Sequence, residues 1–200
     1  MTADLLLALV GFALVTSITP GPNNAMLLAS GVNFGFRRSL PHMAGICAGC
    51  ALMLPLVGLG LGGLFAAMPV LYVMLRYAGT AYLLVLAWKI ARSGAPKPGG
   101  AAARPFGFMQ ALAFQFVNPK AWIMMVGAVT TYTPYGSYLR NIMIVTAVFA
   151  LVMLPSIAVW AGCGVAMRRL LSNPARVRAF NITMALLLVA SLYPLLGGIE

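Results

Sequence analysis

Acidic residues are nearly missing from this chain of 200 residues: Asp4 and Glu200 are the only two, one near each end. Histidine occurs once, at His42, and cysteine three times, at Cys47, Cys50 and Cys163. One histidine with no carboxylate in the interior of the sequence assembles neither an ordinary metal site nor a nucleophile–histidine–acid triad. No cofactor or metal is therefore expected. Three cysteines are an odd number and suit no disulfide framework. Cys47-x-x-Cys50 has thiol-redox spacing, but both are small residues in a glycine-rich apolar run, where packing is the better account of them. Charge of either sign is scarce: 8% of residues are charged and 62% hydrophobic, with mean hydropathy +0.97. That leaves too little polar surface to cover a soluble globule. A basic region and a small-residue cleavage site are missing from the beginning, so no cleavable signal peptide is expected.

What is present is a series of apolar runs longer than the roughly 18 residues that mark a membrane helix. The spacing predicts six spans: Leu5–Val32, His42–Phe65, Leu71–Ala91, Phe106–Thr131, Tyr138–Gly164 and Phe180–Leu196. The fold class expected is an all-α integral membrane protein. Residues 92–105, rich in proline and glycine, read as a linker between a first three-helix repeat (1–91) and a second (106–200). The net charge of +11 does not signal nucleic acid, because the basic residues sit in short connections. Arg37 and Arg38, then Lys89, Arg92, Lys97 and Arg104, then Arg168, Arg169, Arg176 and Arg178 fill alternate loops. The positive-inside rule makes those loops cytoplasmic, beside anionic lipid headgroups, and puts both termini outside. The glycine-rich second span suits close helix packing, within one chain or in a homo-oligomer.

Two spans carry breaks. Thr19-Pro20-Gly21-Pro22-Asn23-Asn24 interrupts the first, and Asn118-Pro119-Lys120 interrupts the fourth. Proline lacks a donor and clashes with the preceding turn, whereas Asn before it is a favoured helix start. With three spans in each half, the second half has inverted topology. The first break falls about fifteen residues into a span and the second about thirteen, ~23 Å and ~20 Å along a helix. In a core of ~30 Å, two breaks entering from opposite faces meet near the centre. Interrupted helices in matching positions of two halves point to a secondary transporter with its site at the midplane. The restarting half-helices offer N–H groups and positive dipole ends to a carboxylate. Thr19, Asn23, Asn24 and Asn118 add neutral donors and acceptors, and Gln115 lies one turn before the second break. Lys120 has two functional roles open to it, counter-charge or titrating group, and one structural role, satisfying carbonyls at the end of the first half-helix. Arg76, His42, Pro55 and Pro155 have bland readings: a snorkelling arginine, an interfacial histidine and two tolerated kinks.

Thr19-Pro20-Gly21-Pro22-Asn23 with Gly31, Gly35 and Arg37-Arg38 resembles the opening of the LysE/RhtB family of amino-acid exporters. Arg76-Tyr77-Ala78-Gly79-Thr80-Ala81-Tyr82-Leu83 and Gln115-Phe116-Val117-Asn118-Pro119-Lys120-Ala121-Trp122 are similar to that family's third and fourth spans. The resemblance covers essentially the whole chain. It implies export of amino acids or their derivatives from the cytoplasm across a bacterial inner membrane, driven by the proton gradient or the membrane potential. Its wording fits best the cysteine and O-acetylserine branch, with homoserine, threonine or leucine exporters next. Lysine-exporting members are associated with an acidic residue within the membrane, which this sequence lacks, so a dibasic substrate is disfavoured. If protons are coupled, Lys120, His42 or the substrate must carry them. Two alternatives stand beside the exporter: a membrane thiol oxidoreductase using Cys47 and Cys50, and a metal-ion efflux transporter. The first lacks a second thiol pair; the second lacks clustered oxygen ligands.

Overall fold

Proline and glycine decide where this chain stops being helical. The computed structural model describes residues 1–61, 67–92, 105–134, 137–168, 171 and 173–190, and every regular element among them is a helix. Helix α1 (Ala3–Ile18) starts from Thr2, whose side chain accepts from the Leu5 N–H at 3.3 Å. It stops at Thr19, which is extended (φ −63°, ψ 145°) because the residue before a proline is pushed out of the helical region. Helix α2 (Pro22–Phe34) restarts with proline in its first position, and its axis turns 55° from that of α1. Gly35 ends α2 at φ 83°, a conformation that costs glycine little, and α3 (Phe36–Leu56) follows at once.

Helix α3 passes through Pro41 and Pro55 before a wider turn at Val57–Leu61. Then come α4 (Pro69–Arg92), α5 (Phe108–Gln115) and α6 (Pro119–Tyr132), the last two bent by 62°. Helix α7 (Tyr138–Met167) carries Pro155 inside it, and α8 (Pro174–Ala190) is the last described element. On length and composition two helices can cross a membrane, or four if each bent pair is one span, among the described residues.

Two boundaries differ from the sequence expectation. Helix α3 begins six residues before His42, because Gly35 alone makes the reversal; Arg37 and Arg38 therefore sit on its first turn. Helix α8 begins six residues before Phe180, so Arg176 and Arg178 are helical too. The linker from 93 to 104, the end of the second span after 61 and the sixth span beyond 190 lie outside the described residues, as does the Arg76 side chain.

Helix α7 is the axis of the packing, touching α1, α2, α3 and α6. Where it crosses α2, glycine faces glycine. A Cβ on Gly31 would fall on the Ala161 carbonyl, and one on Gly164 would fall on that of Leu28. Small residues bring two backbones together in this way when lipid gives no hydrophobic drive. Gly45 and Gly49 do the same for α3 against α5. One apolar core gathers Leu9, Ile46, Met53, Met125, Phe149 and Ile157; a second joins α2, α4, α5 and α8 through Leu83, Phe114, Phe180 and Leu188. Leu7, Ile123, Met143 and Leu151 point outward, each at least 68% exposed, as a hydrocarbon surrounding requires.

Candidate functional site

A helix that stops leaves carbonyls without partners, and in lipid each must be satisfied from within. At the first break, side chains do this. Asn24 Nδ2 donates to Ser17 O and Thr19 O, both at 2.8 Å. Trp160 Nε1, from the middle of α7, donates to Ile18 O at 3.0 Å. Lys120 reaches across from the second break: its Nζ donates to Thr19 O at 2.7 Å, Thr19 Oγ1 at 2.9 Å and Pro20 O at 3.2 Å. All three ammonium donors are thus in use. Gly21 makes room for the lysine, since a Cβ there would lie 2.7 Å from Lys120 Cδ.

The second break closes differently. Helix α5 tightens at its end, with Phe116, Val117 and Asn118 N–H groups donating three residues back at 3.1–3.2 Å. Trp122 Nε1 folds back onto Phe116 O at 2.8 Å. Asn118 Oδ1 caps α6 by accepting from the Lys120 N–H at 3.2 Å, with Pro119 in the first position. Val117 O rests on Gly79 of α4, where a Cβ would overlap it.

A buried amide joins the two. Asn23 Nδ2 donates to Gln115 Oε1 at 2.8 Å, and Gln115 Nε2 returns the bond to Asn23 Oδ1 at 3.1 Å. Gln115, 0% exposed, also donates to Ala111 O at 2.9 Å and accepts from Asn118 Nδ2 at 3.5 Å and Cys50 Sγ at 3.8 Å. Between the breaks lies a cavity of about 30 Å³, lined by Gly21, Asn23, Asn24, Cys50, Asn118 and Lys120. That is room for a water molecule or two.

The electrostatics are one-sided. The ammonium is held by neutral dipoles; Asp4, the one acidic residue among those described, is at the start of α1. The C-terminal end of α1 favours the cation, while the N-terminal ends of α2 and α6 add positive potential beside it. Gly21 gives α2 no side-chain cap, so its first N–H groups keep no side-chain acceptor. The arrangement can accept an anion.

Over residues 14–192 the sequence matches the family described as LysE type translocator. The chain belongs to that family. The chain is also similar to proteins named cysteine/O-acetylserine efflux protein from Escherichia coli (strain K12), Shigella sonnei (strain Ss046) and Shigella flexneri. Each is 36% identical over 191 residues, covering 94% of this chain and 96% of the relative. No solved structure matches.

In the structure, Thr19, Pro20, Gly21, Asn23, Asn24, Gln115, Asn118 and Lys120 converge, and Pro22 and Pro119 start the two half-helices around them. Asn24 works as a backbone cap in this conformation, its Nδ2 donating to two carbonyls at the end of α1. His42 is elsewhere: it is buried inside the protein and lines a separate cavity. Sequence reasoning left Trp122, Trp160, Cys50 and Gly79 out of the candidate site. The tryptophans had a signal, because an indole N–H buried in an apolar span needs an acceptor and a broken helix supplies one.

Proposed function

We propose that the chain is a secondary active exporter of small neutral amino acids or derivatives of the cysteine/O-acetylserine kind. In this reading six helices form two inverted three-helix repeats, residues 1–91 and 106–200, joined by a cytoplasmic linker at 92–105. Both termini lie outside a bacterial inner membrane, and the proton gradient or membrane potential drives transport. Family membership and the names of the relatives support an amino-acid exporter. The observation that carries the mechanism is the contact of the two breaks, Lys120 Nζ on Thr19 O and Pro20 O beside the Asn23–Gln115 pair.

The substrate's carboxylate takes the place of those carbonyls on the ammonium and draws on the N–H groups of α2. Its ammonium and polar side chain exchange partners with Asn23, Asn118 and Gln115. A cavity of about 30 Å³ is too small for any amino acid, so the breaks must part before substrate enters. Unlatching Lys120 from Thr19 and Pro20 is then the step that couples binding to opening. A zwitterion in a site with one fixed cation and no carboxylate fits a neutral amino acid and rejects a dibasic one.

The experiment is efflux from proteoliposomes loaded with labelled cysteine, O-acetylserine, threonine, leucine or lysine, with and without an imposed proton gradient. Selective release of a neutral substrate supports the reading. Release of lysine alone, or of none, overturns it.

A further inference from the structure

A cavity of about 500 Å³ lies at the end of the bundle where α2 ends and α5 begins, with Met26, Asn33, His42, Tyr82, Arg92 and Gln110 in its wall. His42 is 1% exposed, and neither ring nitrogen has a hydrogen-bond partner. Its ring packs on Phe106 at 5.1 Å between centroids. An imidazole offers a donor and an acceptor, and a buried polar group without a partner calls for water, ion or ligand. The charged residues of the lining, Lys89 and Arg92, are both cationic; the Arg92 guanidinium stacks 4.4 Å over Trp88. The rest of the wall is largely apolar.

This cavity and the small one between the breaks are neighbours along two helices. Met26 and Asn23 are three residues apart on α2, and His42 and Ile46 four apart on α3; the first of each pair lines the large cavity and the second the small one. The Asn23–Gln115 amide pair ties α2 to α5 at that junction.

We propose that the large cavity is a loading site for the same small zwitterionic amino acid, occupied before the site between the breaks. Lys89 and Arg92 attract the carboxylate, His42 hydrogen-bonds the substrate's polar groups, and the apolar wall takes its carbon atoms. This rests on the exporter reading and adds a second, earlier station to it.

The test uses the full chain in nanodiscs with O-acetylserine as the probe. Val85 lines the cavity. A thiol introduced by Val85→Cys, in a Cys163→Ser background, is labelled with a charged methanethiosulfonate while O-acetylserine is titrated. Protection of that thiol is expected, and expected to persist in Lys120→Met. His42→Ala should move the protection midpoint about tenfold higher, the loss of one hydrogen bond. Absence of protection in protein that exports O-acetylserine overturns the loading site alone. So does protection that vanishes in Lys120→Met, which stands as a test even where His42→Ala fails to fold, and so does a midpoint that ignores His42→Ala. Absence of efflux for every amino acid offered overturns the exporter reading itself.

Discussion

Replacing Lys120 with methionine keeps all but the last atom of the side chain's length and removes its three donors. Thr19 O retains Asn24 Nδ2, and Thr19 Oγ1 still donates to Thr16 O at 3.1 Å. Pro20 O loses the ammonium that satisfies it. One orphaned carbonyl costs about 1–3 kcal/mol, and the relief of desolvating a charge offsets part of that. Equilibrium unfolding in mixed detergent should therefore show a loss of at most about 3 kcal/mol. Transport should suffer more. A charge-assisted bond to the substrate carboxylate contributes about 1.5–3 kcal/mol, which converts to a KM for efflux raised roughly 10- to 100-fold. The two readouts separate the two roles. A variant that is less stable yet exports O-acetylserine with unchanged KM would leave Lys120 as a clamp and refute its part in binding. One that loses neither stability nor affinity refutes the clamp as well.

Asn23→Leu and Gln115→Leu each strand the partner amide and should destabilise by about 1–3 kcal/mol, while the double variant costs less than their sum; strict additivity in unfolding measurements would contradict the pairing. Gly31→Ala drives a methyl into the Ala161 carbonyl and should cost about 1–3 kcal/mol, whereas Gly11→Ala, with nothing within 4 Å, should be neutral or stabilising by up to ~1 kcal/mol. Equal stability of these two alanine variants would show that α2 and α7 do not cross as described. Cys47→Ser/Cys50→Ser should retain efflux, since serine preserves the donor near Gln115; abolished efflux from folded protein would favour thiol chemistry.

The breaks were legible in the sequence because their signals are local: Thr19 before Pro20 is pushed out of the helix, and Pro22 and Asn118-Pro119 are favoured helix starts. The meeting of Lys120 with Thr19 was not legible as a contact, because 101 residues separate them and only packing closes that distance. The sequence left open whether Lys120 serves as counter-charge or as backbone cap, and its three bonds explain why. In this conformation it caps, and a cap made by an ammonium is the kind a carboxylate can displace. The burial of His42 within the protein was not legible for a related reason. Pro41 before it suggested a helix start, but a proline in the second turn of α3 is tolerated, and the histidine is carried inside beneath Phe106. The helix starts at Phe36 and Pro174 were missed by six residues each because arginines on a first turn look like loop residues when only polarity is read.

The chain has three tryptophans, one bonded at each helix break and one at the large cavity. Trp160 is bonded to the carbonyl that ends α1, Trp122 to the carbonyl that ends α5, and Trp88 stacks under Arg92 at the large cavity. The protein thus carries its own fluorophores, one at each break and one beside the large cavity. Single-tryptophan versions would let emission wavelength and quenching follow the two breaks and the cavity separately through a transport cycle, with no dye attached.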